Sequence, residues 1–164
     1  MNSSDLGYKN FYGRLFACSG GVLVAVTGIA KIWSAFGAAS LLRSIDPVFG
    51  IRFRLLLLVV GVVEIVIAFA CLSASGVRLP AILLAWVSTM FLVYRVGLGS
   101  VHWEHACPCL GQLTDALPMS ARTVDALVKA TLAYLLIGSY ALLFWLGRAE
   151  QAGEAGSVAP ARSE

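Results

Sequence analysis

The sequence predicts an all-α fold, an integral membrane bundle of four transmembrane helices. Three observations lead there. Apolar residues make up 59% of the chain and charged ones 13%, with a mean hydropathy of +0.85, far from the balance of a water-soluble domain. Four apolar runs are each long enough to cross a hydrocarbon core of ~30 Å at ~1.5 Å per residue. The chemically versatile side chains instead collect in one polar passage, His102-Trp103-Glu104-His105-Ala106-Cys107-Pro108-Cys109-Leu110-Gly111. A chain of 164 residues fits one domain. Its charge of +3, without a Lys/Arg run, excludes a nucleic-acid footprint. Four cysteines are too few and too scattered for a secreted disulfide scaffold.

Residues 1–14 form a polar leader. The first span covers about 15–36, too long for the apolar region of a cleaved signal peptide and interrupted by Lys31. Ala17, Gly21, Ala25 and Gly28 recur at helical spacing, a small-residue seam that lets helices approach closely. A connection follows, carrying Asp46-Pro47 as a turn and helix-stop signal.

The second span, about 55–75, holds Glu64 near its middle, with Gly61, Ala68 and Cys71 on the same face. A carboxyl at that depth is costly and is expected to face the bundle interior or a cation. Lys31 is within reach of it. A short turn at Arg78 leads to Pro80, tolerated in the first turn of a helix, and to the third span at about 79–98 with Arg95 near its end. Ser120 reads as the N-cap of the fourth span, about 120–146, where Lys129 lies early and Ala130, Tyr134, Gly138 and Ala141 share a face. Residues 15–147 thus form the membrane domain, and the polar, Ala/Gly-rich tail 148–164 is expected to be disordered.

Four spans put both termini on one side of the bilayer and the connections 32–54 and 99–119 on the other. Each side carries five basic residues outside the helix ends, so charge bias does not orient the protein. Chemistry orients it instead. Cys107 and Cys109, one proline apart, can cycle between dithiol and disulfide, and a disulfide across so small a ring is strained and reducible. Such a pair functions in an oxidising compartment. Lys31, Arg95 and Lys129 all approach this end of the bundle, and nearby cations favour the reactive thiolate. A metal reading uses His102, His105, Cys107 and Cys109, a ligand set suited to zinc or copper. Cys18 and Cys71 lie toward the terminal side, away from the motif, and read as small apolar residues.

With Arg14, then Gly28-Ile29-Ala30-Lys31, Glu64 in the second span and Cys107-Pro108-Cys109-Leu110-Gly111 before the last, the sequence resembles the MauE family. These are methylamine-utilisation membrane proteins, related in architecture to DoxX-like four-helix proteins. The resemblance runs from about Arg14 to Leu146 and departs at Leu110, where phenylalanine is usual. It implies a multi-pass protein of the bacterial inner (plasma) membrane, with the C-x-C loop facing the periplasm. It also implies a role in maturing a periplasmic protein, in the family the disulfide-rich small subunit of methylamine dehydrogenase. The expected activity is thiol-disulfide exchange by Cys107 and Cys109 with a periplasmic thioredoxin-like protein or a maturing client, supported by Lys31, Glu64 and Arg95. No residue specifies a cofactor; a quinone is compatible as electron acceptor by analogy to other membrane thiol oxidoreductases. The other readings are a metal-handling membrane protein and a non-catalytic assembly factor.

Overall fold

The computed structural model describes residues 3–37, 42, 45–46, 49–100 and 121–157. Four helices account for nearly all of them: α1 (Ser3–Ala35), α2 (Phe53–Ser73), α3 (Arg78–Ser100) and α4 (Ala121–Ser157). All four are long and apolar enough to cross a membrane, over Phe11–Ala35, Phe53–Ser73, Arg78–Ser100 and Asp125–Arg148. The protein is an all-α, multi-pass membrane bundle. Among the described residues the one β feature is an isolated bridge between Ile45 and Arg52.

The outer helices exceed the expected spans. α1 starts at Ser3, inside the polar leader, and α4 runs on to Ser157, through the first ten residues of the tail expected to be disordered. Helix formation is costly only at its nucleus; extending an existing helix adds one hydrogen bond per residue fixed. The stretch Arg148-Ala149-Glu150-Gln151-Ala152 is made of good helix formers, so it propagates the turn that the membrane span has already established.

The surface is what lipid requires. Val22, Val26, Ile29 and Trp33 on α1, Val62, Val66 and Phe69 on α2, Val93 and Val96 on α3, and Ile137 and Phe144 on α4 are all exposed. An apolar belt of this extent would be an aggregation site in water. In a bilayer it is matched to its solvent. Burial inside the bundle then gains little hydrophobic free energy, and packing and polar contacts decide which faces meet.

α1 packs mainly along α2, and α3 along α4, while α2 and α3 touch lightly. The α1–α2 contact uses the small-residue seam. Gly28 and Gly61 meet so closely that a Cβ on either would sit 3.0 Å from the other's carbonyl oxygen, and Gly21 lies against Cys71 and Leu72. A shared core joins Val24, Ile67, Ala68, Cys71, Leu84, Val87 and Leu135, drawn from all four helices. α4 is held by Gly138 packing on the Phe16 ring, by the Ser19 and Tyr134 hydroxyls at 2.8 Å and by those of Thr89 and Tyr140 at 3.0 Å. The expected small-residue face of α4 is therefore only partly used: Gly138 packs, whereas Ala130 and Ala141 are exposed.

Candidate functional site

The buried charged groups, Lys31, Asp46 and Glu64, gather toward the end that carries the connections after α1 and α3. Lys31 lies four residues before the end of α1, and Glu64 lies eleven residues into α2, hence ~6 Å and ~16 Å from that end at ~1.5 Å per residue. The gap closes because side chains lean toward the N-terminus of their own helix. α1 and α2 are antiparallel, so Lys31 reaches inward and Glu64 reaches outward. The Lys31 Nζ donates to Glu64 Oε1 at 2.8 Å and Oε2 at 3.0 Å. Lys31 is 5% exposed and Glu64 fully buried. The glycine contact makes this possible, since Gly28 packs directly on the Glu64 Cβ.

An ammonium has three donors, and Glu64 takes two. The Nζ also lies 4.7 Å from the centroid of the Phe91 ring on α3, a cation–π contact. The ion pair thus ties three helices together.

Nearer the loop end, Asp46 is fully buried and organises the connection into α2. Its Oδ1 accepts from the Phe49 backbone N–H at 2.7 Å, an Asx-type turn, and its carbonyl accepts from Gly50 at 2.8 Å. Gly50 has φ +68°, the left-handed region open to glycine. The Tyr94 hydroxyl on α3 donates to Asp46 Oδ2 at 2.6 Å, and the Tyr94 ring stacks on Phe49 at 5.8 Å. The sequence marked Asp46 as a turn residue; its tie to α3 carries no sequence signal.

The third group links α3 to α4. Arg95 Nη2 donates to Asp125 Oδ1, and Lys129, one turn further along α4, donates to Asp125 Oδ2 at 2.6 Å. Arg95 Nη1 is buried without a hydrogen-bond partner among the described residues. Sequence reasoning singled out both cations and passed over Asp125, although an acid four residues before a lysine is the usual signal for a helical ion pair. Three bare cations are therefore not what this end presents. Lys31 is neutralised by Glu64, and Arg95 and Lys129 share one carboxylate, leaving a single excess positive charge on that cluster.

Between α2 and α3, where the helices part, lies a cavity of about 240 Å³ with Lys31 and Glu64 at its inner end. The rest of its lining is apolar or aromatic, Tyr94 apart.

His102, His105, Cys107 and Cys109 lie outside the described residues. The chain leaves α3 at Ser100 and re-enters at Ala121, so both cysteines belong to the connection beside Arg95 and Asp125. Cys18 and Cys71 are free thiols, the first exposed and the second buried with its Sγ 4.0 Å from the Pro80 carbonyl. No group of three or more His, Cys, Asp or Glu that could hold a metal occurs among the described residues.

Comparison with protein families, with curated proteins and with solved structures yields no match.

Proposed function

We propose that this chain is an inner-membrane thiol-disulfide exchange protein of the MauE type, presenting Cys107 and Cys109 to the periplasm for the maturation of a periplasmic client. The observation that carries this reading is the Lys31–Glu64 pair. The Gly28-Ile29-Ala30-Lys31 motif and the embedded glutamate, far apart in sequence, form one buried contact through Gly28, Gly61 and the ion pair. A pattern noticed as separate signatures becomes a single clamp. The clamp fixes α1 against α2 and, through Phe91, against α3, whose end leads into the cysteine connection.

In the exchange, a client thiolate attacks one sulfur of the Cys107–Cys109 disulfide, forming a mixed disulfide and releasing the other sulfur as a thiolate. The second client thiolate then displaces the bound cysteine, leaving the client oxidised and the pair reduced. Reversal against the disulfide of a periplasmic thioredoxin-like protein regenerates the pair, so one disulfide is consumed for each one formed.

Replacing both cysteines by serine tests this. The double variant should insert normally yet lose the mixed disulfides that Cys107→Ser or Cys109→Ser alone traps with periplasmic proteins. Equal trapping by the double variant would overturn the reading.

A further inference from the structure

The group formed by Arg95, Asp125 and Lys129 carries more charge than its internal contacts use. The two cations grip opposite oxygens of one carboxylate, which leaves one positive charge unbalanced among the described residues. Arg95 has five donors on a planar fork, and its Nη1 is buried without an acceptor among the described residues. A buried donor left unpaired is costly, and more so on a charged group. The group is nonetheless open on one side: Lys129 keeps 66% of its side chain exposed and Arg95 19%. One turn beyond Arg95 on the same face of α3, Gly99 is exposed and has no side chain with which to cover the guanidinium. The depth is that of lipid headgroups. Arg95 lies five residues before the end of α3, and Asp125 opens the membrane-spanning part of α4. Around them Leu92 and Val96 of α3 and Leu127 of α4 are exposed and apolar.

We propose that Arg95 and Lys129 together bind a phosphate group of net negative charge, supplied at this depth by an anionic phospholipid. The cations already straddle the two oxygens of a carboxylate, so they lie within the span of a second anion whose oxygen–oxygen edge is of similar length. One phosphate oxygen accepts from Arg95 Nη1, brought to the opening by rotation about the last side-chain bonds. A second accepts from the Lys129 Nζ. Asp125 keeps its own contacts and holds the two cations in place. The single excess charge selects a lipid of net charge −1 over a zwitterionic one, whose own cation competes for the phosphate. The acyl chains then run over Leu92, Val96 and Leu127 into the bilayer. The site uses neither Cys107 nor Cys109 and stands or falls apart from the exchange reading.

The test uses the purified full-length protein in non-ionic detergent micelles doped with phosphatidylglycerol or phosphatidylcholine, the retained lipid being counted by native mass spectrometry. The protein should hold one phosphatidylglycerol in preference to phosphatidylcholine. Arg95→Gln should weaken retention at least about tenfold, the worth of one hydrogen bond to a charged group. Lys129→Gln should do the same at an exposed position that folding tolerates. Asp125→Asn frees a second positive charge and should retain the lipid at least as tightly as the parent. A loss in this variant as large as in the glutamine variants would mean that the triad only fastens α3 to α4, and the proposal fails. Inorganic phosphate at the lipid's concentration should not displace it; displacement would give the site to soluble phosphate and overturn the lipid source. Equal retention of the two lipids, or undiminished retention by both glutamine variants, also overturns the proposal.

Discussion

At the scale of single residues, burial makes Lys31 and Glu64 depend on each other. Two charges drawn out of water attract strongly, yet the desolvation cost of both is of the same size. The pair is thus worth little against two well-packed apolar residues, and either member alone is a liability. Glu64→Ala, which strands the ammonium, is expected to lower stability by ~3–5 kcal/mol, whereas Lys31→Met/Glu64→Met recovers most of that loss. Denaturant titration of the two variants in the same detergent checks the difference, and equal losses would mean that the pair is not the buried unit described. This contact was legible in the sequence because depth can be counted along a helix and long side chains have known reach. The Asp46–Tyr94 hydrogen bond was not. Tyr94 reads as one more apolar position of a span, and no spacing rule pairs it with a loop 48 residues earlier.

At the scale of elements, the α1–α2 seam is set by the absence of side chains at two positions. A Cβ at Gly61 would approach the Ile32 side chain to 2.7 Å and the Gly28 carbonyl to 3.0 Å, and the latter is backbone that cannot step aside. Gly61→Leu should therefore separate the helices and cost ~1–3 kcal/mol or more despite the better helix propensity of leucine. Gly99→Ala, with nothing within 4 Å of its added carbon, should stay within ~0.5 kcal/mol of the parent. Thermal melting of the two proteins side by side decides it. The limits of α2 and α3 were readable to within about two residues because Pro80 and the Ser75-Gly76 turn punctuate them. The outer ends of α1 and α4 were not, since polar composition marks where lipid ends and says little about where helix ends. The buried face of α4 was half legible: in a helix apolar nearly all round, spacing alone does not say which stripe packs.

At the scale of the whole molecule, four spans oblige the termini to share one side and the cysteine connection to occupy the other. Sequence charge is silent on which side is which, five basic residues facing five, and the bundle itself is symmetric to that question. The proposed disulfide exchange calls for an oxidising compartment, and on that reading the connection faces the periplasm. A membrane-impermeant maleimide applied to intact cells after mild reduction should label Cys107 and Cys109, and a cysteine introduced at Ser157 should react only after lysis. The reverse pattern would invert the topology and remove the basis of the exchange reading.

The distance in sequence between Lys31 and Glu64 bears on how the chain enters the bilayer. The two residues are 33 positions apart, so the first span leaves the ribosome carrying a charge whose counter-ion has yet to be synthesised. A lysine at the centre of a lone helix opposes insertion by ~2.5–3.5 kcal/mol, and Lys31, one turn from the end of α1, meets part of that cost. The cheapest route is for α1 to wait at the translocon until α2 arrives and for the two to partition into lipid as a neutralised hairpin. On that route the clamp is an instruction for biogenesis as well as a fastening in the finished protein.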